Sequence, residues 1–175
     1  GFTELKLFVD EKTATPTARK LGASNLMYES YNTALLLSPN IQNENRQIYK
    51  KMRLTPLAER LPYADYLLFA RGWFEWSVGI SAWGIGKEQK NLKLYQKNDS
   101  ISIATIICIE SIYPDFVRNF ANQGAELFTV ITNDAWYDYT FGPRQHYILA
   151  AMRAIENRRY LARAANSGIS GIISP

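Results

Sequence analysis

The chain of 175 residues holds one cysteine and one histidine. A lone cysteine excludes an internal disulfide and any multi-cysteine zinc site, and a lone histidine leaves little for an imidazole-based metal centre. No metal or other cofactor is expected. The sequence also lacks any run of about 18 to 20 uninterrupted apolar residues, the length a bilayer-spanning helix needs, and no N-terminal stretch reads as a secretory signal. No block of Lys and Arg resembles a nucleic-acid arm. A net charge of +4 therefore permits contact with an anionic surface without demanding it, and no nucleic-acid partner is expected.

Hydrophobic content of 47% and charged content of 21% are ordinary for a globular protein and fit one compact domain. Aromatics are plentiful, with eleven Tyr and four Trp. Many fall between Leu61 and Gly86, which carries Tyr63, Tyr66, Phe69, Trp73, Phe74, Trp76 and Trp83 and follows neither a helical nor a strand period. A core or dimer-interface insert is one reading of this segment. The other is an arm at a membrane surface, where Trp and Tyr favour the boundary between apolar and wet surroundings.

Tyr31 to Leu37 reads as a strand ended by Ser38-Pro39-Asn40, and Gln47 to Lys51 as a second strand paired with it. On that pleat Tyr49 and Lys51 share a face, so the neighbouring Lys50 and Lys51 point in opposite directions. Ile101 to Cys108 is a buried-type strand. Pro114 to Asn122 is a helix with Pro in its first turn and Gly124 as its stop, and Leu127 to Thr132 is a further buried strand. A long helix is expected over about residues 145–165, with Ile148, Met152 and Ile155 on its apolar stripe, before a last strand from Ser170. Alternation of strand and helix from Ile101 onward argues an α/β protein with helices layered on a sheet.

Cys108 falls where the buried strand gives way to the Pro114 helix. A thiol at such a corner is either a buried structural cysteine, the blander reading, or a nucleophile projecting from a sheet edge. A nucleophile needs a base and a donor for the oxyanion of acyl transfer. His146, at the start of a helix, suits a capping or supporting role better than a Cys-His pair. Glu110, Glu59 and Lys51 are the other candidates. Each has a dull explanation alone: a partner for an arginine, a turn residue, a solvated edge charge. The arginines at 144, 153, 158, 159 and 163 spread around a helix axis and read better as partners of carboxylates, such as Arg153 with Glu156, than as a headgroup patch.

Taken in order, several stretches resemble the nitrilase (carbon-nitrogen hydrolase) superfamily and, within it, the apolipoprotein N-acyltransferases. These are Tyr31-Asn-Thr33; Tyr49-Lys-Lys51 with Leu54-Thr-Pro56 and Glu59; Cys108-Ile-Glu110 with Pro114; Thr132-Asn-Asp-Ala-Trp136; Gln145-His146; Arg153 to Asn157 with Arg159; and Arg163 to Ser170.

The resemblance implies an α-β-β-α sandwich and an acyl thioester on Cys108. It makes Lys51 the oxyanion donor, Glu59 the supporting glutamate that orients Lys51, and Glu110 an acidic residue beside the nucleophile. Asn32, Trp136 and Ile109 fall at substrate-pocket positions, with Ile109 standing where the acyltransferases commonly carry Tyr. The implied donor is a phospholipid, the acceptor the N-terminal diacylglyceryl-cysteine of an apolipoprotein, and the place the periplasmic face of the inner membrane, reached through the aromatic arm at about residues 61–86. The family's general-base glutamate lies in a Trp-Pro-Glu type segment that has no counterpart before Tyr31. Residues 1–175 are thus expected to be a partial catalytic domain, incomplete at both ends and nearly inactive alone. A soluble amidase that resolves the same thioester with water, and a non-catalytic module with Cys108 merely buried, are the alternatives.

Overall fold

The computed structural model describes residues 1–15, 17–37, 46–60, 83–96, 99–137 and 140–175. Its first sheet is antiparallel and centred on β3 (Met27–Leu36). Along one edge of β3 runs β1 (Phe2–Phe8), from Phe2 opposite Thr33 to Phe8 opposite Met27. The other edge is shared by β2 (Arg19–Lys20) and β4 (Gln47–Lys50). As the pleat requires, Tyr49 and Lys51 are buried while Lys50 reaches outward to Glu4 at 2.8 Å.

The second sheet runs β5 (Leu92–Gln96), β6 (Asp99–Ile107), β7 (Leu127–Asn133), β8 (Tyr160–Asn166) and β9 (Gly171–Ile173). The three inner strands are parallel and the two edges antiparallel. Parallel strands need crossovers, and α1 (Pro114–Asn122) and α2 (Gly142–Asn157) supply them. Ala104, Ile106, Phe128, Val130 and Leu161 form a continuous core with Phe116, Val117 and Phe120 of α1 and Ala150 and Ala154 of α2. Ala34 and Tyr49 of the first sheet join that core, with the Tyr49 ring edge-on to Phe120 at 5.7 Å. The end of β4, which leads to Lys51, and the end of β6, which leads to Cys108, are therefore held by one apolar mass.

The Pro114–Asn122 helix stands where its sequence places it, and Gly124 takes a φ of +85° behind it. The long helix over 145–165 does not. It ends at Asn157 because Arg158 turns left-handed (φ +52°), and residues 160–166 form β8 instead, with Leu161 and Arg163 alternating inward. Its expected apolar stripe is also corrected: Ile148, Met152 and Ile155 are exposed, and the buried face is His146, Ala150, Arg153 and Ala154. Two inward polar side chains broke the apolar period on which that reading relied. The strands β1, β2 and β5 carry no signal that was read from sequence. Residues 61–82, most of the expected aromatic arm, lie outside the described residues, as do the turn at 38–40 and the polar stretch 41–45. Among the described residues no helix is long and apolar enough to cross a membrane.

Candidate active site

Cys108 is the first residue past β6, at the head of a short 3-10 turn, Cys108–Ile112. Its φ is +53°, the left-handed region, which costs a non-glycine residue about 1–2 kcal/mol. Such strain persists only where surrounding contacts over-determine it. The thiol is unpaired and half-buried, on the wall of an open cavity of about 550 Å³.

On the same wall are Asn32 of β3 and Glu59. Lys51, only 1% exposed, lies behind them and gives its Nζ to both Glu59 oxygens, at 2.8 and 2.6 Å. Asn32 Nδ2 donates to Glu59 Oε1 at 3.2 Å and the Thr55 backbone N–H to Oε2 at 2.7 Å. Burial works to raise the Glu59 carboxyl, but the Lys51 ammonium and these donors outweigh it and hold the group below the ordinary carboxylate range. A buried ammonium is costly without a partner, and Glu59 supplies that partner and fixes where it points. The Lys51 backbone is pinned as well, its N–H donating to Asn32 O and its carbonyl accepting from Gly86 N–H, both at 2.8 Å. A Cβ at Gly86 would stand 2.1 Å from the Lys50 carbonyl oxygen, so this close approach needs glycine.

Glu110, expected as an acidic residue beside Cys108, is two residues past it and does not line the cavity. It is fully buried, and its Oε1 accepts from Tyr49 Oη (2.8 Å), Met52 N–H (2.7 Å) and Arg53 N–H (3.1 Å), while Oε2 accepts from Ile107 N–H (2.8 Å). The carboxyl group thus ties the residues just after Lys51 to the residue just before Cys108. Burial pushes it above the usual range against the pull of these donors, and burial beside Glu110 likewise pushes the Tyr49 phenol up.

A second buried polar cluster lies on the other side of Cys108. Arg163 of β8 donates to Asp134 Oδ2 at 2.7 Å, and Asp134 Oδ1 lies 2.9 Å from His146 Nδ1. The far ring nitrogen, Nε2, is 3.1 Å from both the Cys108 carbonyl oxygen and Ser111 Oγ. Gly168 makes room for this cluster: a Cβ there would meet Asp134 Oδ2 at 2.5 Å. Its φ is not the reason; the left-handed residue of that turn is Ser167.

Trp136 stands on the cavity wall, 82% exposed, with Ile131, Thr132, Asn166 and Ser170 nearby. Ile109, expected at a substrate-pocket position, is half-buried on the 3-10 turn and is not among the residues that line this cavity. The structure therefore gathers Cys108, Glu59, Asn32 and Trp136 around one space, with Lys51 directly behind Glu59. Such a set puts a thiol, a carboxylate, an amide and an indole around one space, with a buried ammonium bonded to the carboxylate.

Residues 14–175 match the sequence family described as carbon-nitrogen hydrolase. The chain belongs to the carbon-nitrogen hydrolase family. It is 38% identical over 167 residues to an apolipoprotein N-acyltransferase of Chlorobaculum tepidum, covering 93% of this chain and 31% of that protein. Proteins of the same name from Thermotoga maritima (34% over 128 residues, 73% of this chain and 24% of that protein) and Pseudomonas paraeruginosa (33% over 163 residues, 93% and 29%) are also similar. The chain spans about a quarter to a third of the length of these relatives. Among solved structures, Nit3 of Saccharomyces cerevisiae superposes with a TM-score of 0.56 at 15% identity, covering 84% of this chain and 46% of Nit3. A mutant amidase from Nesterenkonia sp. AN1, bearing the product of Michael addition of acrylamide at its active-site cysteine, gives 0.53 at 23% identity, with 85% and 50% covered. These likenesses establish the nitrilase α/β fold.

Within this carbon-nitrogen hydrolase domain, three features escaped the sequence reading. Tyr49 is a hydrogen-bond partner of Glu110, Asp134 and Arg163 are a buried ion pair, and His146 binds the backbone of Cys108. The pairing of Asp134, His146 and Arg163 had a signal, since all three lie in the stretches that carry the family resemblance. Nothing in their spacing said that they meet.

Proposed function

We propose that this chain is catalytic-domain sequence of an apolipoprotein N-acyltransferase, working through an acyl thioester on Cys108. The observation that carries the reading is the similarity over 93% of the chain to relatives of that name from separate bacteria, centred on a left-handed cysteine in an open cavity. The acyl donor is a phospholipid and the acceptor the α-amine of an apolipoprotein's diacylglyceryl-cysteine.

In the first half-reaction the Cys108 thiolate attacks an ester carbonyl of the phospholipid, and the carbonyl π pair moves onto oxygen. Lys51, paired with Glu59, is assigned to stabilise that oxyanion. Collapse breaks the carbon–oxygen bond and releases a lysophospholipid, whose alkoxide takes up a proton. In the second half the amine attacks the thioester and gives up a proton to the general base, the carbon–sulfur bond breaks, and the amide leaves with Cys108 restored as thiolate. Glu59 is the carboxylate on the cavity wall, and its oxygens are committed to Lys51, Thr55 and Asn32. We assign the thiol's proton to a general-base glutamate outside residues 31–175, so these residues alone should form the thioester very slowly. Glu110 acts at a distance by joining the Lys51 and Cys108 segments. The aromatic segment at about 61–86 is assigned to contact with the inner-membrane surface on its periplasmic side.

Intact-mass measurement of the full-length protein after incubation with a diacyl phospholipid, beside a Cys108→Ala control, tests this reading. A fatty-acyl adduct present in the first and absent from the second is expected. An adduct formed from small amides and never from phospholipid would turn the assignment to the soluble amidase reaction.

A further inference from the structure

The mechanism just described does not use the His146 ring, which is buried and 3.1 Å from the carbonyl oxygen of the proposed nucleophile. Both ring nitrogens face acceptors, Nε2 the Cys108 carbonyl and Nδ1 the Asp134 carboxylate, so in this geometry each donates and Nε2–H is the donor to Cys108. Ser111 Oγ lies 2.9 Å from the same oxygen as a second donor. The other face of the ring is fixed by Asp134, which is itself held by Arg163 and by the Thr132 hydroxyl at 3.0 Å. Arg163 is locked in turn, its Nε donating to the Ile169 carbonyl at 3.0 Å. The Tyr137 ring packs edge-on against His146 at 6.0 Å.

Without these donors nothing on this side obliges Cys108 to stay at φ +53°. Relaxation to a right-handed or extended conformation would swing its Cα–Cβ bond and carry the thiol away from the cavity. Glu110 holds the preceding residue through the Ile107 N–H, and the His146 cluster holds Cys108 itself through its carbonyl. The elbow is clamped on both sides by buried polar groups from different elements.

We infer that His146, oriented by Asp134 and Arg163, is a positioning residue for Cys108: its Nε2–H grips the Cys108 carbonyl and, with Ser111, keeps the thiol turned into the cavity. It exchanges no proton with substrate and touches none of the reacting atoms. This rests on Cys108 being the nucleophile of the proposed function, but not on the identity of the acyl donor.

The test is the alkylation rate of Cys108 by iodoacetamide in the full-length protein, followed by mass on the peptide that contains it, for wild type, His146→Leu and His146→Gln. The amide of Gln offers an N–H where Nε2 stood. A drop of about tenfold or more in the Leu variant, with the Gln variant within about threefold of wild type, is expected. A Leu variant that alkylates at the wild-type rate overturns the proposal, and so do Leu and Gln variants that slow equally, since ring volume rather than the donor would then be responsible. If His146→Leu fails to fold, Ser111→Ala decides: it removes a single hydroxyl from the same carbonyl. Slowing by about threefold supports the clamp and a wild-type rate refutes it. Because iodoacetamide needs no lipid, a protein that takes no acyl group from phospholipid yet shows this pattern would sink the acyltransferase reading and leave the positioning role standing.

Discussion

The Glu110 carboxylate accepts the Met52 backbone N–H at 2.7 Å, joining the residue after Lys51 to the residue two past Cys108. The two segments are 58 positions apart in the chain at this contact. The segments that carry Lys51 and Cys108 are thus held together by a buried acid that does not line the cavity.

Replacing that acid should cost stability and alignment together. Glu110→Leu strands one tyrosine hydroxyl and three backbone N–H groups, and a loss of about 3–5 kcal/mol is expected; Glu110→Gln should lose about 1–3 kcal/mol. Urea unfolding measures both. A loss under about 0.5 kcal/mol in the Leu variant would contradict the bridge.

The two glutamates near Cys108 should bias stability in opposite directions with pH. Glu59 is held below its unfolded value, so its contribution is present above about pH 4.3 and fades as pH falls through the folded value. Glu110 is held above its unfolded value, so its contribution is full below about pH 4.3 and fades as pH rises through the raised one. Unfolding free energies across acid and neutral pH, for wild type beside Glu59→Gln, read the first effect. The gap between them should narrow on the acid side, and a gap independent of pH would mean that the Lys51 pair is not its source.

At position 108 glycine should be better tolerated than alanine. Both remove the thiol, but only glycine takes a φ of +53° without strain, so Cys108→Gly is expected to be about 1 kcal/mol more stable than Cys108→Ala. Thermal melts of the two variants decide it. Equal melting points would place the strain elsewhere.

Trp136 offers the reverse case, a residue whose loss should leave the fold alone. At 82% exposure on the cavity wall, Trp136→Ala should change unfolding free energy by no more than about 0.5 kcal/mol. If the ring seats substrate, KM for phospholipid should rise severalfold with kcat little changed. A variant with wild-type KM would remove Trp136 from the pocket.

Much of this site was legible because its chemistry sits in short, ordered stretches. Cys108 follows an apolar strand run, Lys51 lies on the buried face by simple alternation from Tyr49, and the Pro114 helix announces both its ends. The failures in α2 and β8 have one cause. In α2 and β8 the buried positions include His146, Arg153 and Arg163, so a reading that looks for apolar spacing mistakes the exposed Ile148, Met152 and Ile155 for the core stripe and runs the helix into a strand. Glu110 was recognised as belonging beside the cysteine, but adjacency along the chain does not say which way a carboxylate points.

By itself, then, the sequence determined the α/β alternation, the family, and the residue types available for acyl transfer, because periodicity and motif are properties of neighbours along the chain. Tertiary structure alone decided which polar groups meet: Glu110 with Tyr49 and the Met52 amide, Asp134 with Arg163 and His146, and His146 with the carbonyl of Cys108. Buried hydrogen-bond partners must be satisfied wherever the fold brings them together, and these partners come from segments that share no local pattern.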